Sequence, residues 1–346
     1  MKALFTALCI LLASGPAFAM GQAPKDPNAP TVVTVGAFAA PHSPWWNDWQ
    51  TFKTNLARLA PDGSVTTKLL INNESGGEPA TLTYTRRNRM QIAGVTLGGT
   101  GSIVPEVDVL LSPFFFESTA QLDYVMDEHL LPIFRALFAQ KGLYLFQWVE
   151  VGWLNIYGLK PMATPADAAG LRMRVQSSES AEILMKSLGA EYLQMEFADV
   201  IPALQTGLIS GGETNVVLYQ ITGLAGEAPH MTFTRHSFDT GVVVGNLDWY
   251  NGLPQRRQDI IEKAFVPSPE ARLGIRTMAD KVESNLDAYG VIGHYPTPAQ
   301  RALWKDATKD NHKAIIARVG GRAQDVYDAM VRGRAEFDAL QQGLSR

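Results

Sequence analysis

The chain has 346 residues, 46% of them apolar, with a formal charge of −4 and a single cysteine, Cys9. The apolar share is ample for two hydrophobic cores, and the mild negative charge leaves no polybasic footprint for nucleic acid or anionic lipid. One thiol excludes an internal disulfide framework and a zinc–thiolate cluster.

Lys2, the apolar run from Ala3 to Leu12 and the small-x-small exit at Ala17, Phe18 and Ala19 are the parts of a secretory signal peptide. Residues 1–19 are therefore expected to be cleaved before Met20, taking Cys9 with them and removing any cysteine nucleophile. The apolar run falls short of the roughly 20 residues that span a bilayer, and no later stretch reaches that length, so the mature protein is expected not to span a membrane itself. Roughly 325 mature residues make about two domains by length. They begin with the proline-bearing lead-in GQAPKDPNAP.

A buried strand is expected from Thr31 to Phe38. Ser43 can cap the following helix and Pro44 suits its first turn, with Trp46, Trp49, Phe52, Leu56 and Leu59 at helical spacing. Asp62 and Gly63 turn the chain into a second strand, Val65 to Ile71. A Gly-Gly loop at Gly76 and Gly77, a basic helix through Arg86, Arg87 and Arg89, the strand MQIAGV and a glycine-rich edge at Gly98, Gly99 and Gly101 follow. This is the βαβ rhythm of an α/β domain.

Helices through Tyr124 and Phe134 lead to the strand LYLFQW and a separate strand from Gly152 to Tyr157, near which a second α/β domain begins. A short helical segment from Ala166 to Ala169 delivers the chain into GLRMRV. Ser177 or Ser178 caps the next helix and Gly189 closes it, ahead of a strand from Glu191 to Phe197 and a helix from Val200 to Thr206. After a strand at Gly241 to Gly245 the chain reads as mostly helical from Pro254 onward, with a turn-like break from Tyr289 to Pro298.

Arg174, at the end of a buried strand, needs an anion, because an unpaired internal charge is costly. Its planar fork can meet a carboxylate with two parallel hydrogen bonds, although the residues alone leave a structural or surface ion pair open. Arg172, two positions earlier, shares the strand face and could serve a second carboxylate or pair with a local acid at the rim. Motifs for catalysis or metal binding do not emerge. The six histidines show no HExxH spacing, GGTGS lacks the third glycine of a dinucleotide fingerprint, and neither G-x-S-x-G nor S-x-x-K occurs. The rival from a different class is a secreted α/β hydrolase acting on a carboxylated substrate.

PADAAGLRMRV, LGAEYLQMEFADVIPALQTGLISGGE and TRHSF resemble the solute-binding proteins of tripartite ATP-independent periplasmic (TRAP) transporters, the DctP family, over nearly the whole mature chain. The resemblance implies an α/β, two-lobed periplasmic binding protein fold, type II-like, with a hinge, a ligand cleft between the lobes and a helical C-terminal segment. The chain of that fold crosses between lobes more than once. Residues 31–151 with 240–279 are accordingly expected in lobe I, and 152–239 with 280–346 in lobe II. The implied function is a periplasmic receptor, not an enzyme and without a cofactor. It closes on a small organic acid, a mono- or dicarboxylate, and hands it to the small and large membrane subunits of a permease.

By the same resemblance Arg174 is the signature arginine that grips the ligand carboxylate, and Arg172 stands where a lysine is common. Phe197 takes the place of an aromatic set against the ligand's carbon skeleton, or is plain core. Trp153 lies where some relatives carry a second arginine, and either walls the site or packs in the core. Thr214 occupies the position of a common asparagine, Asn215 coming one place late, and its hydroxyl offers fewer donors. Glu213 matches an acid that orients neighbours or contacts a bound cation, and His236 a histidine near the hinge that is a structural group or a ligand. From the first lobe, Glu74 to Gly77, Thr96 and the edge from Gly98 through Thr100 to Gly101 are expected to face the cleft, since open α/β sheets bind ligands at strand ends.

Overall fold

The computed structural model describes residues 29–72 and 74–344, and the expected signal peptide lies outside them. Strand β1 (Thr31–Ala37) pairs in parallel with β2 (Val65–Leu70) and with β3 (Ile92–Thr96). Parallel neighbours need crossovers, and the helices Pro44–Leu59 and Glu78–Arg86 supply them. In the first, Ser43 accepts a hydrogen bond from the Trp46 amide at 3.1 Å, which satisfies one of the free donors at the helix start. Its buried face is Trp45, Trp49, Phe52 and Leu56, while Trp46 and Leu59 of the expected stripe sit half-buried at its edge. Phe52 stacks on Phe265 at 4.6 Å, which ties this helix to the segment following the helix Gln255–Ala264.

Two expected strands merge into one. Residues Leu143–Gly158 form the continuous strand β4, and the strand expected at Gly241 to Gly245 is only the last part of β8 (His230–Asn246). They pair antiparallel from Leu143 opposite Asn246 to Gly158 opposite His230, with the register slipping at three places. The glycine at 152 reads as a break but is a bulge: the register shifts between Glu150 and Gly152, and Gly152 takes a φ of +120°, which a side chain rarely tolerates.

Beyond that pair come β5 (Arg172–Val175), β6 (Glu191–Gln194) and β7 (Gly211–Thr214). The sheet order is β2-β1-β3-β8-β4-β7-β5-β6, and β9 (Ile292–His294), found where a bare turn was expected, joins the start of β8. β3 borders the Gly241–Gly245 end of β8, whereas β7 borders the Asn155–Gly158 end of β4. The α/β fold is thus two-lobed, and two long strands run from one lobe into the other. Strand β6 ends at Gln194, short of the expected Phe197, which opens a 3-10 turn instead. The glycine-rich edge is a short helix, Leu97–Thr100, capped by Thr96.

Five helices dominate the C-terminal part. Ser268–Glu283 is strapped to β4 by Arg276, which bonds both Asp123 and the buried Glu150, while Arg272 forks onto Asp127. Trp304 of Pro298–Thr308 packs with Met185 and Leu188, and Asn311 of Asn311–Val319 donates to Ser187. The last helix, Ala323–Leu344, buries Val326, Ala329 and Met330 with Val125, Met126 and Leu130. Among the described residues, no helix is long and apolar enough to cross a membrane.

Candidate ligand-binding site

The C-terminal ends of strands from both halves of the sheet converge on a cavity of about 170 Å³. Phe38 follows β1 and Thr96 ends β3, while Arg174 and Gln176 mark the end of β5 and Thr214 ends β7. This is where an open α/β sheet leaves a crevice, because the helices that follow the strands diverge there.

Arg174 is 7% exposed. Its Nε and Nη2 donate to the Met195 carbonyl at 3.2 and 3.1 Å, the only hydrogen-bond acceptor it meets among the described residues. The guanidinium also lies 5.4 Å from the centre of the Phe197 ring, so Phe197 lines the cavity as a platform for the cation. A permanent charge is thus buried against a neutral oxygen and an aromatic ring. Arg172 is elsewhere: its side chain is exposed and donates to the Gly207 carbonyl at 3.1 Å.

Glu213 and Thr214 line the cavity from β7. Glu213 Oε2 is 2.9 Å from His236 Nε2, and Nδ1 of that ring is 2.8 Å from the Thr234 hydroxyl. His236 is buried behind Glu213 and does not line the cavity. Glu213 Oε1 has no partner, nor has Nδ2 of Asn215 or Nε2 of Gln176, and all three residues line the cavity. Asn215, one place late by sequence count, therefore still reaches the wall, while its Oδ1 accepts from the Leu218 amide and caps the helix Val216–Ile221.

From the other half of the sheet come Gly77, Thr96, Gly98 and Gly99. Several expected residues stand off, Ser75, Gly76 and Gly101 among them. Glu74 is exposed and accepts from the Asn72 amide, Thr100 is buried and donates to the Thr96 carbonyl at 2.7 Å, and Trp153 packs edge-on against Phe238 at 5.0 Å. Thr96 is not a free donor either, because both its amide and its hydroxyl donate to Glu78, at 2.8 and 2.5 Å.

Glu78, Glu196 and Asp239 are lining residues that the sequence reading did not reach. Burial, with Glu196 nearby, pushes the Glu78 carboxyl above its usual range, against the pull of the Thr96 bonds and Arg174. Asp239, 3% exposed, has Oδ1 unpartnered, and burial together with Glu78 and Glu213 raises its carboxyl well above the usual range. Gln176 had a legible signal, since it lies two positions after Arg174 and so on the same strand face. Asp239 had none, because it belongs to a part of β8 not recognised as strand.

The two sides of the cavity touch. A methyl group added at Gly98 would come within 2.7 Å of Gln176 Oε1, and one at Gly77 within 3.1 Å of Glu196 Oε2.

Comparison with known proteins matches residues 35–318 to the family described as bacterial extracellular solute-binding protein, family 7. The chain is 26% identical over 295 residues to the C4-dicarboxylate-binding periplasmic protein DctP of Rhodobacter capsulatus, spanning 84% of this chain and 88% of that one. It is 25% identical over 196 residues to the ectoine-binding periplasmic protein TeaA of Halomonas elongata, 55% of this chain and 57% of the relative. Among solved structures, a TRAP periplasmic solute-binding protein from Anaerococcus prevotii with bound D-glucuronate superposes with a TM-score of 0.82 at 23% identity, covering 89% of this chain and 99% of the other. Likeness at that identity speaks for the fold.

Proposed function

We propose that this chain, which belongs to the bacterial extracellular solute-binding proteins of family 7 and so is a receptor rather than an enzyme, anchors its organic acid on Arg174 and delivers it to a TRAP permease. The observation that carries the reading is the buried Arg174 guanidinium, held by a carbonyl and a ring, at the wall of a cavity between the two halves of the sheet. A carboxylate entering there supplies the direct ion-pair partner that the guanidinium lacks among the described residues. The unpartnered amide nitrogens of Gln176 and Asn215 offer further donors on the same wall. Phe197 and Thr214 shape the space beside it. Glu213 and His236 act as a bonded pair that ties β7 to β8 across the intervening β4, and Arg172, Glu74, Thr100 and Trp153 stay out of contact with the ligand.

Residues 31–151 with 240–279 form one lobe and 152–239 with 280–346 the other, and closure brings Thr96 and the Gly98 edge against the β5 side. Residues 1–19 direct export to the periplasm, where the closed form docks on the small and large membrane subunits of the permease. A ligand can shift such an equilibrium only through contacts made with both lobes at once.

The test is a thermal-shift screen of small organic acids, followed by mass spectrometry of whatever co-purifies with the protein. Stoichiometric, unaltered acid is the expected result. Chemical conversion of that acid on prolonged incubation would overturn the receptor in favour of a hydrolase.

A further inference from the structure

The charges around the cavity do not balance for an anion alone. Arg174 is the one cationic side chain among the described residues that line it, whereas Glu78, Glu196, Glu213 and Asp239 bring four carboxyl groups. Glu78 is engaged by Thr96 and one oxygen of Glu213 by His236, but Asp239 Oδ1, like Glu213 Oε1, has no partner among the described residues and belongs to a side chain that is almost wholly buried.

A second cavity, of about 90 Å³, adjoins the first, since Phe38, Glu78, Thr96 and Leu218 line both. Its wall carries Trp45, Trp49 and Asp48, and no Lys, Arg or His among the described residues. The space available to a solute therefore runs from a guanidinium, past Glu78 and Asp239, toward an acid set among indoles. A second carboxylate at that end would meet like charge in a poorly solvated site, where such repulsion is strong. Hydroxyl groups would satisfy the oxygens without favouring the charged form of either carboxyl. A cation meets both needs, and aromatic faces attract it further.

Resting on the reading of Arg174 as the carboxylate anchor, we propose that the solute also carries a cationic nitrogen at the end remote from its carboxylate, held by Asp239 and Glu78 and directed toward the tryptophan-rich wall. The ligand class is then a net-neutral zwitterion rather than a dicarboxylate or a polyhydroxy acid. Burial keeps Asp239 and Glu78 reluctant to ionise in the empty site, and a bound ammonium or amidinium offsets that penalty.

The test uses matched probes on the full mature protein. The ω-amino acids from 3-aminopropanoate to 6-aminohexanoate are compared by thermal shift and calorimetry with dicarboxylates of the same length and with D-glucuronate. The best ω-amino acid is expected to bind at least about tenfold more tightly than its dicarboxylate counterpart, a difference well within reach of one buried charge contact. Asp239→Asn and Glu78→Gln are each expected to narrow that preference, and Asp48→Asn provides a half-buried third variant should the buried ones fold poorly. Tighter binding of a dicarboxylate or of glucuronate, or no response to any ω-amino acid, overturns the inference. The underlying reading is judged separately. If Arg174→Ala abolishes the response to whichever acid does bind, the anchor stands even when the zwitterion fails.

Discussion

Replacing Arg174 with alanine separates a binding role from a structural one. In the bound state the guanidinium is expected to give two charge-assisted hydrogen bonds, each worth about 1.5–3 kcal/mol, so their loss weakens binding by about 3–6 kcal/mol, or some 10²–10⁴-fold. The unliganded protein has much less to lose. The side chain gives up its two bonds to the Met195 carbonyl, its contact with Phe197 and its pull on the Glu78 and Asp239 carboxyls, but a buried charge without a direct ion-pair partner disappears with it. These contributions oppose one another, and the unliganded variant should stay within about 1 kcal/mol of the parent. A ligand at a hundred times its Kd stabilises the parent by about 2.7 kcal/mol, which for a chain of this size is a shift of about 5 °C. Arg174→Ala should shift by less than about 1 °C at that concentration. Arg174→Lys, which keeps the charge but not the fork, should fall between, about 10–100-fold weaker. Calorimetry with the acid that co-purifies provides the numbers. Undiminished binding by Arg174→Ala, or an unliganded variant that unfolds several degrees early, would refute the argument.

Gly98→Ala places a methyl group against Gln176 across the cleft, so it should weaken ligand binding while leaving the urea midpoint of the unliganded protein nearly unchanged, as paired calorimetry and denaturation curves would reveal. His236→Ala strands the buried Glu213 carboxyl without its partner and is expected to destabilise the protein by about 3–5 kcal/mol in urea titrations, with Glu213→Gln much milder. Asp108 governs part of the pH response. Burial raises its carboxyl to about 6, against the bonds from the Ser178 hydroxyl and the Glu179 amide. Its charged form therefore weighs on the folded state above that pH, and stability rises as the pH falls through 6 toward the unfolded value near 3.8. A shift of about two pKa units corresponds to about 3 kcal/mol at most. Asp108→Asn should flatten the difference between urea midpoints at pH 7.5 and pH 5, and an unchanged slope would show that other groups set it.

The alternation of strands and helices, the Ser43 cap, the cap expected at Ser177 or Ser178, which Ser178 supplies by accepting from the Ala181 amide, and the strand carrying Arg174 were legible because each rests on local spacing or on a local hydrogen bond. The length of β4 and β8 was not. Their central residues follow no simple alternation, since the pair lies in mid-sheet and carries bulges, and Gly152 resembles a stop where it is a bend. The site inherits the same divide. Arg174, Phe197, Glu213 and Thr214 sit in one contiguous motif and line the cavity together, whereas Glu78 and Asp239 reach it from distant parts of the chain through a sheet order that no local pattern encodes. Trp153, which the resemblance left as either a wall of the site or core packing, lies edge-on against Phe238 on the neighbouring strand, a contact that depends on the pairing of β4 with β8.

The paired strands β4 and β8 couple the lobes as a leaf spring couples two plates. A long ladder of backbone bonds resists shear and axial twist, so the easy deformation is a bend across the ribbon, softest where the register slips, the slip beside Gly152 among them. Arg276 clamps the ribbon at Glu150, immediately next to that weak point. Opening and closing should therefore follow nearly a single track, with the flexure itself supplying a restoring force.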